Sequence, residues 1–132
     1  MTATANLDIV IDCVDPPALA EFWAEALDYK NAGQYEQYVI LLPREAGHPP
    51  VLLQGVPEAK LAKCRVHIDI RAGDVEAEAR RLEVLGASRI DIGQGEQDWI
   101  NMADPEGNEF CVCPGIPLPD LSGSPSTSEP ST

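Results

Sequence analysis

The sequence predicts an α+β fold of two βαβββ modules in pseudo-twofold arrangement, whose curled mixed sheets enclose a cleft. Three observations predict it. A strand-and-cap segment occurs twice, as "DIVIDCVD" from Asp8 to Asp15 and as "HIDIRAGD" from His67 to Asp74. Each copy leads into an amphipathic stretch of helical period. Each helix is then followed by three short strand-like runs.

The elements follow in order. Asp15 suits a helix cap and Pro16 the first helical turn, and Leu19, Phe22, Trp23, Ala26 and Leu27 recur at helical spacing. Asp28 stands where the helix should end in a left-handed residue. Strands are expected over Lys30–Tyr35, Tyr38–Pro43 and Pro50–Val56. "GVPEAKLAK" joins the copies. In the second, Asp74 caps a helix whose first turn carries Glu76 and Glu78. Val75, Ala79, Leu82 and Leu85 form its stripe, and Gly86 ends it. The matching strands are Ser88–Ile92, Gln97–Ala103 and Asn108–Cys113. The domain therefore spans 7–114, with modules of about 7–56 and 65–114, an N-terminal arm over 1–6 and a tail over 115–132. That tail is rich in Pro, Ser and Thr and is expected to be disordered, at least beyond Leu121.

Composition narrows the functions. The chain has 132 residues, enough for one domain with a sizeable core, and a net charge of −13. That charge argues against nucleic acid and anionic membrane surfaces. No apolar run approaches the roughly 20 residues that span a bilayer, and the N-terminus has no basic leader, so a cytoplasmic protein is expected. The four cysteines form no CxxC pair and are expected as free thiols, with Cys13 buried.

Strand parity then sorts the side chains. In "DPEGNEFCVC", from Asp104 to Cys113, a turn leads into a strand with Glu109, Cys111 and Cys113 on one face and Phe110 and Val112 on the other. Arg65, His67, Asp69 and Arg71 alternate with Val66, Ile68 and Ile70. Trp99 and Asn101 should face inward beside Gln97, with Ile100 and Met102 on the helix side. Trp99 offers a flat wall to an apolar ligand, while Leu52 and Val10 add apolar lining. Tyr35 and Tyr38 border a turn that suits a lid or a plain surface. Arg71 is the repeat equivalent of Asp12 and is expected to pair with it or to anchor an anionic ligand.

The segments "DCVDPPALAEFWAEALDY", "RVHIDIRAGDVEAEARRLEVLGA" and "WINMADPEGNEFCVCP", in this order and spacing, resemble the vicinal oxygen chelate superfamily. That group includes glyoxalase I, bleomycin-resistance proteins, fosfomycin-resistance proteins and extradiol dioxygenases, and the likeness runs from about Leu7 to Pro114. In its metal-using members, the first and last strands of each copy supply inward ligands, commonly His or Gln and Glu. Carried onto this chain, the resemblance implies Asp8, Gln54, His67 and Cys111. Asp15 to Gln54 is 39 residues and Asp74 to Cys111 is 37, which implies a two-residue insertion in the first copy. A mixed set of this kind suits a divalent ion such as Zn, Fe, Ni or Mn. Glu109 is then a candidate general base, a supporting group behind the ligands or a rim acid. A set lacking both usual glutamates argues against true glyoxalase I activity.

Two functions follow from the resemblance, beside a third reading as a scaffold or regulatory module whose fold survives without chemistry. One is a metal-free or weakly metal-dependent cleft that binds an antibiotic or metabolite, with Trp99, Asn101, Arg71, Asp69 and Leu52 as contacts. The other is a divalent-metal-dependent lyase or isomerase acting on a small oxygenated molecule. Bleomycin-resistance proteins lie on dimer interfaces, so a homodimer is implied as well.

Overall fold

Both copies of the repeat fold to the same strand order. The computed structural model describes residues 6–90 and 98–119. The first module contains β1 (Ile9–Cys13), α1 (Pro16–Leu27), β2 (Lys30–Tyr35), β3 (Tyr38–Leu42) and β4 (Val51–Gly55). The second contains β5 (Ile68–Arg71), α2 (Val75–Leu85), β6 (Ser88–Arg89), β7 (Ile100–Ala103) and β8 (Glu109–Cys113). The sheets run β1-β4-β3-β2 and β5-β8-β7-β6, each with one parallel pair (β1 with β4, β5 with β8) and antiparallel neighbours beyond it. Among the described residues each sheet has four strands, and the two are not hydrogen-bonded into one. Ile92 and Gln97, expected on strands, lie outside the described residues, as do 1–5 of the arm and 120–132 of the tail.

The caps form where the sequence places them. Asp15 Oδ1 accepts from the Ala18 N–H at 3.3 Å, and Asp74 Oδ1 accepts from the Ala77 N–H at 3.0 Å, each filling a donor that the first helical turn leaves open. Asp28 ends α1 in the left-handed region at φ 55° and ψ 46°, a conformation that Asp tolerates better than most residues. Gly86 ends α2 at φ 124°.

Both helices turn the predicted stripes to the core, with Leu27, Val75 and Leu85 at its half-buried edge. Leu19, Phe22, Trp23 and Ala26 are buried on α1, and Ala79 and Leu82 on α2. The two modules share a single core. Its centre is aromatic, with the Trp23 ring 5.1 Å from that of Phe110 on β8 and 5.0 Å from that of Phe22, both edge-on. Arg81 of α2 reaches the open end of α1 and donates to the carbonyls of Glu25 at 3.3 Å and Ala26 at 2.9 Å, with Glu78 holding its guanidinium.

The turn after β7 fastens the halves together. Asp104 is buried and its carboxylate accepts four hydrogen bonds: from Trp23 Nε1 at 2.9 Å, the backbone N–H groups of Glu106 and Asn108, and Asn108 Nδ2 at 3.0 Å. The Glu106 carboxylate takes the N–H groups of Val14 and Asp15 at 2.7 and 2.8 Å, just ahead of α1. One short turn thus satisfies polar groups in both modules.

Strand pairing also settles how the copies correspond. Asp12 lies beside Gln54 on β4, and its equivalent Arg71 lies beside Cys113 on β8. Gln54 therefore corresponds to Cys113 and Leu52 to Cys111, without a two-residue insertion. The count along the sequence was off by two because it lacked the pairing that fixes register. Asp12 and Arg71 form no ion pair. Asp12 borders a small hollow of about 200 Å³ with Glu58, Lys60 and Glu106, while Arg71 lies against Gly115.

Candidate functional site

The second sheet carries a row of polar side chains on the face away from the helices. Asp69 on β5 is the register partner of Cys111 on β8, which is the partner of Asn101 on β7. Side chains of paired residues share a face, so these three lie side by side. The neighbours of opposite parity, Phe110 and Val112, are buried in the core. His67, just ahead of β5, stands beside the row.

Within this row, His67 Nδ1 lies 3.2 Å from Asp69 Oδ1 and 4.0 Å from Cys111 Sγ. Cys111 is buried and its thiol donates to Asn101 Oδ1 at 3.1 Å. Burial, and then the nearby Asp69 charge, push that thiol up to about 11, so it is protonated at neutral pH. Cysteine, histidine and aspartate are the residue types of a nucleophile relay, but this geometry does not make one. A relay needs the two ring nitrogens to serve different partners, whereas the two recorded contacts fall on the same nitrogen. The thiol is also shifted away from the reactive thiolate.

These groups line a cavity of about 700 Å³, within the range of about 300–1,000 Å³ typical of small-molecule sites. Trp99, 41% exposed, provides an aromatic wall, and Arg71 and Lys63 are cations on the lining. Asp69, Arg71, Trp99 and Asn101 therefore meet in one hollow with His67 and Cys111. Asp8, Gln54 and Leu52 do not line it; they belong to the first module. A single chain thus brings together two members of the implied ligand quartet, with Asp69 as their third neighbour. Val10, Tyr35 and Tyr38 likewise stand on the first sheet, away from this cavity.

Glu109 borders the cavity but is already engaged. One carboxylate oxygen takes Lys60 Nζ at 2.9 Å and the other takes the Cys64 backbone N–H at 2.7 Å, which pins the inter-module linker to β8. Burial alone would push its carboxyl up, but Lys60 and Cys64 bring it down to about 2. A carboxylate so strongly acidic, with both oxygens taken, is a poor general base, and in this structure Glu109 anchors the linker. The spacing of Glu109 on its strand was legible; Lys60 and Cys64 carried no signal of where the linker would fold.

A pH dependence follows from this pair. Because the folded carboxyl is more acidic than its ordinary value of 4.5, its contribution is complete above about pH 4.5 and is lost as pH falls toward 2. Urea unfolding at pH 7 and at pH 3 should show Glu109→Gln less stable than the parent by on the order of 2 kcal/mol at pH 7, with the gap narrowing at pH 3. An equal gap at both pH values would contradict the assignment.

All four cysteines are free. Cys13 is buried as expected, and burial, followed by the charges of Glu106 and Asp104, pushes its thiol up to about 12. No helix among the described residues is long and apolar enough to cross a membrane.

Paired βαβββ modules, each with a helix over one face of its sheet, are the architecture of the vicinal oxygen chelate superfamily. Residues 8–113 match the Glyoxalase-like domain family, and the chain belongs to it. No curated protein matches the sequence. Among solved structures, the chain is similar to a glyoxalase/bleomycin resistance protein/dioxygenase family enzyme from Burkholderia phytofirmans, at 13% identity and a TM-score of 0.63, over 82% of this chain and 97% of that one. It is similar to the bleomycin-binding protein of Streptomyces verticillus, complexed with copper(II)-bleomycin, at 17% identity and a TM-score of 0.58, covering 87% and 99%. A variant of the fosfomycin resistance protein FosX from Listeria monocytogenes, complexed with Mn(II) and a dihydroxypropylphosphonic acid, gives 16% identity and a TM-score of 0.63, covering 87% and 92%. At these identities the likeness is one of fold.

Proposed function

We propose that this protein binds a small molecule in the hollow of its second module, either without metal or with a weakly held one. The observation that carries the reading is the meeting of Trp99, Asn101, Asp69 and Arg71 in a cavity of ligand size. An aromatic wall with a few convergent polar groups is the usual make-up of such a site. The bleomycin-binding neighbour uses the same fold to hold an antibiotic. Trp23 is buried in the core, so Trp99 is the tryptophan that a ligand can touch. Titration with bleomycin and a panel of small aromatic molecules should quench tryptophan emission, and Trp99→Phe should remove that response. Absence of both quenching and thermal stabilisation across the panel would sink the reading.

A second reading, a metal-dependent lyase or isomerase, is favoured by one observation. His67, Asp69 and Cys111 each bring a donor atom within 4.8 Å of the others. Around tetrahedral zinc, nitrogen, oxygen and sulfur ligands stand roughly 3.3 to 3.6 Å apart. The 3.2 Å and 4.0 Å separations from His67 bracket that spacing and the third lies within 4.8 Å, so an ion there would have to draw the donors closer together. Nitrogen, oxygen and sulfur donors together suit zinc or ferrous iron better than magnesium. A bound ion would act as a Lewis acid toward a substrate oxygen. Asn101 would orient the Cys111 sulfur by turning its Nδ2 toward the thiolate, in place of the Oδ1 that accepts from the thiol here, and Trp99 would border the site.

We further propose a homodimer. On the face of the first sheet away from α1, Val10 and Leu42 are exposed and Leu52 and Ile40 are half-buried, a concentration of apolar surface that a second copy would cover. Such pairing would supply Asp8 and Leu52 from the partner to the hollow of the second module. Light scattering after size exclusion should give twice the mass of one chain, and Val10→Asp should halve it. A monomeric parent would overturn this part.

A further inference from the structure

The hollow on the second module has a wall that belongs to neither sheet. Beyond β8 the chain does not leave the site: Pro114, Gly115, Ile116 and Leu118 line the same cavity as His67, Trp99 and Cys111. Gly115 makes this course feasible. It sits at φ +86°, where residues with a side chain are strained, and a Cβ there would stand 2.9 Å from Arg71 Cδ. The backbone therefore lies directly on the stem of Arg71 before Ile116 and Leu118 continue along the cavity. These two residues alternate along the segment, are 73% and 54% exposed, and still contribute to the cavity lining. Apolar side chains left this open gain little from the protein itself. They gain burial when an apolar surface enters the hollow between them and Trp99.

We infer that the segment from Pro114 to Leu118 is a specificity-determining wall of the ligand cleft, and that Ile116 and Leu118 select, with Trp99, for a flat apolar or aromatic portion of the ligand. Gly115 sets the wall in place by allowing the backbone to rest on Arg71. This inference depends on the cleft being a ligand site, as proposed above.

The test uses the full chain and N-phenyl-1-naphthylamine, an uncharged aromatic fluorophore that the net charge of −13 neither attracts nor repels. Binding is read from probe fluorescence, and folding from the thermal midpoint. The parent should bind, and Trp99→Ala should weaken binding. The double variant Ile116→Ser, Leu118→Ser should weaken it at least about tenfold with an unchanged midpoint. Gly115→Val should reproduce the loss with both apolar side chains intact, because it displaces the wall instead of altering it. If Trp99→Ala loses the probe while both segment variants bind like the parent, the wall is refuted and the cleft stands. If the parent binds no probe, the aromatic cleft is refuted and the wall with it.

Discussion

Asp104→Ala should cost on the order of 3 kcal/mol or more in urea unfolding at pH 7, as much as cutting back a fully buried core side chain. The buried Asp104 carboxylate accepts from Trp23 Nε1, from two backbone N–H groups of its own turn and from Asn108 Nδ2. Removal strands several donors at once, and a buried donor left without a partner costs about 1–3 kcal/mol. Asp104→Asn keeps the shape and one acceptor oxygen, and should retain roughly half of what alanine loses. Trp23→Phe removes one donor and keeps most of the ring, so its cost should fall below that of Asp104→Ala. A double-mutant cycle between Trp23→Phe and Asp104→Ala should show coupling of about 1 kcal/mol or more. Additive losses would mean that the indole hydrogen bond contributes nothing between the modules.

Zinc binding should depend on three side chains of the second module. Purified chain supplemented with zinc should bind it, and His67→Ala should weaken that binding by about 100-fold, since even groups that merely support metal ligands are typically worth 10- to 100-fold. Cys111→Ser should also weaken zinc, and more than it weakens manganese, because only zinc gains from a thiolate. Affinity should be modest and should rise as pH rises from 6 to 8. The Cys111 thiol, held at about 11 by burial and by Asp69, must give up its proton to the solvent before sulfur can coordinate. Isothermal titration in two buffers of different ionisation enthalpy would reveal the released proton. Zinc binding that survives loss of both His67 and Cys111 would place the ion elsewhere.

How much of this was written in the sequence depends on how local each cause is. Caps are local: Asp15 and Asp74 announce their helices from neighbours three residues away, and both cap as read. Strand parity is local too, and it placed Phe110 and Val112 in the core and Cys111 on the opposite face. Register is not local. Gln54 and Leu52 share a strand face, and only the pairing of β1 with β4 shows that Leu52 is the counterpart of Cys111. Asp69 was read as a cleft residue, but its place beside His67 and Cys111 required the two strands to be set side by side. The engagement of Glu109 was hidden for the same reason, because its partners Lys60 and Cys64 come from a linker with no periodicity to read. The turn "DPEGN" was recognised as a reversal. Its grip on the first module was hidden because those contacts join residues 81 to 96 positions apart.

That distance bears on how the protein is made. During synthesis the first helix emerges from the ribosome well before Glu106, yet the N–H groups ahead of that helix find an acceptor in Glu106. The early half therefore cannot settle into its finished state while it is being translated, and its aromatic residues stay without Phe110 for the same interval. Consolidation should come late and all at once, when nearly the whole chain is free. Nascent chains stalled before Asp104 should remain sensitive to protease, whereas chains released past Cys113 should resist it.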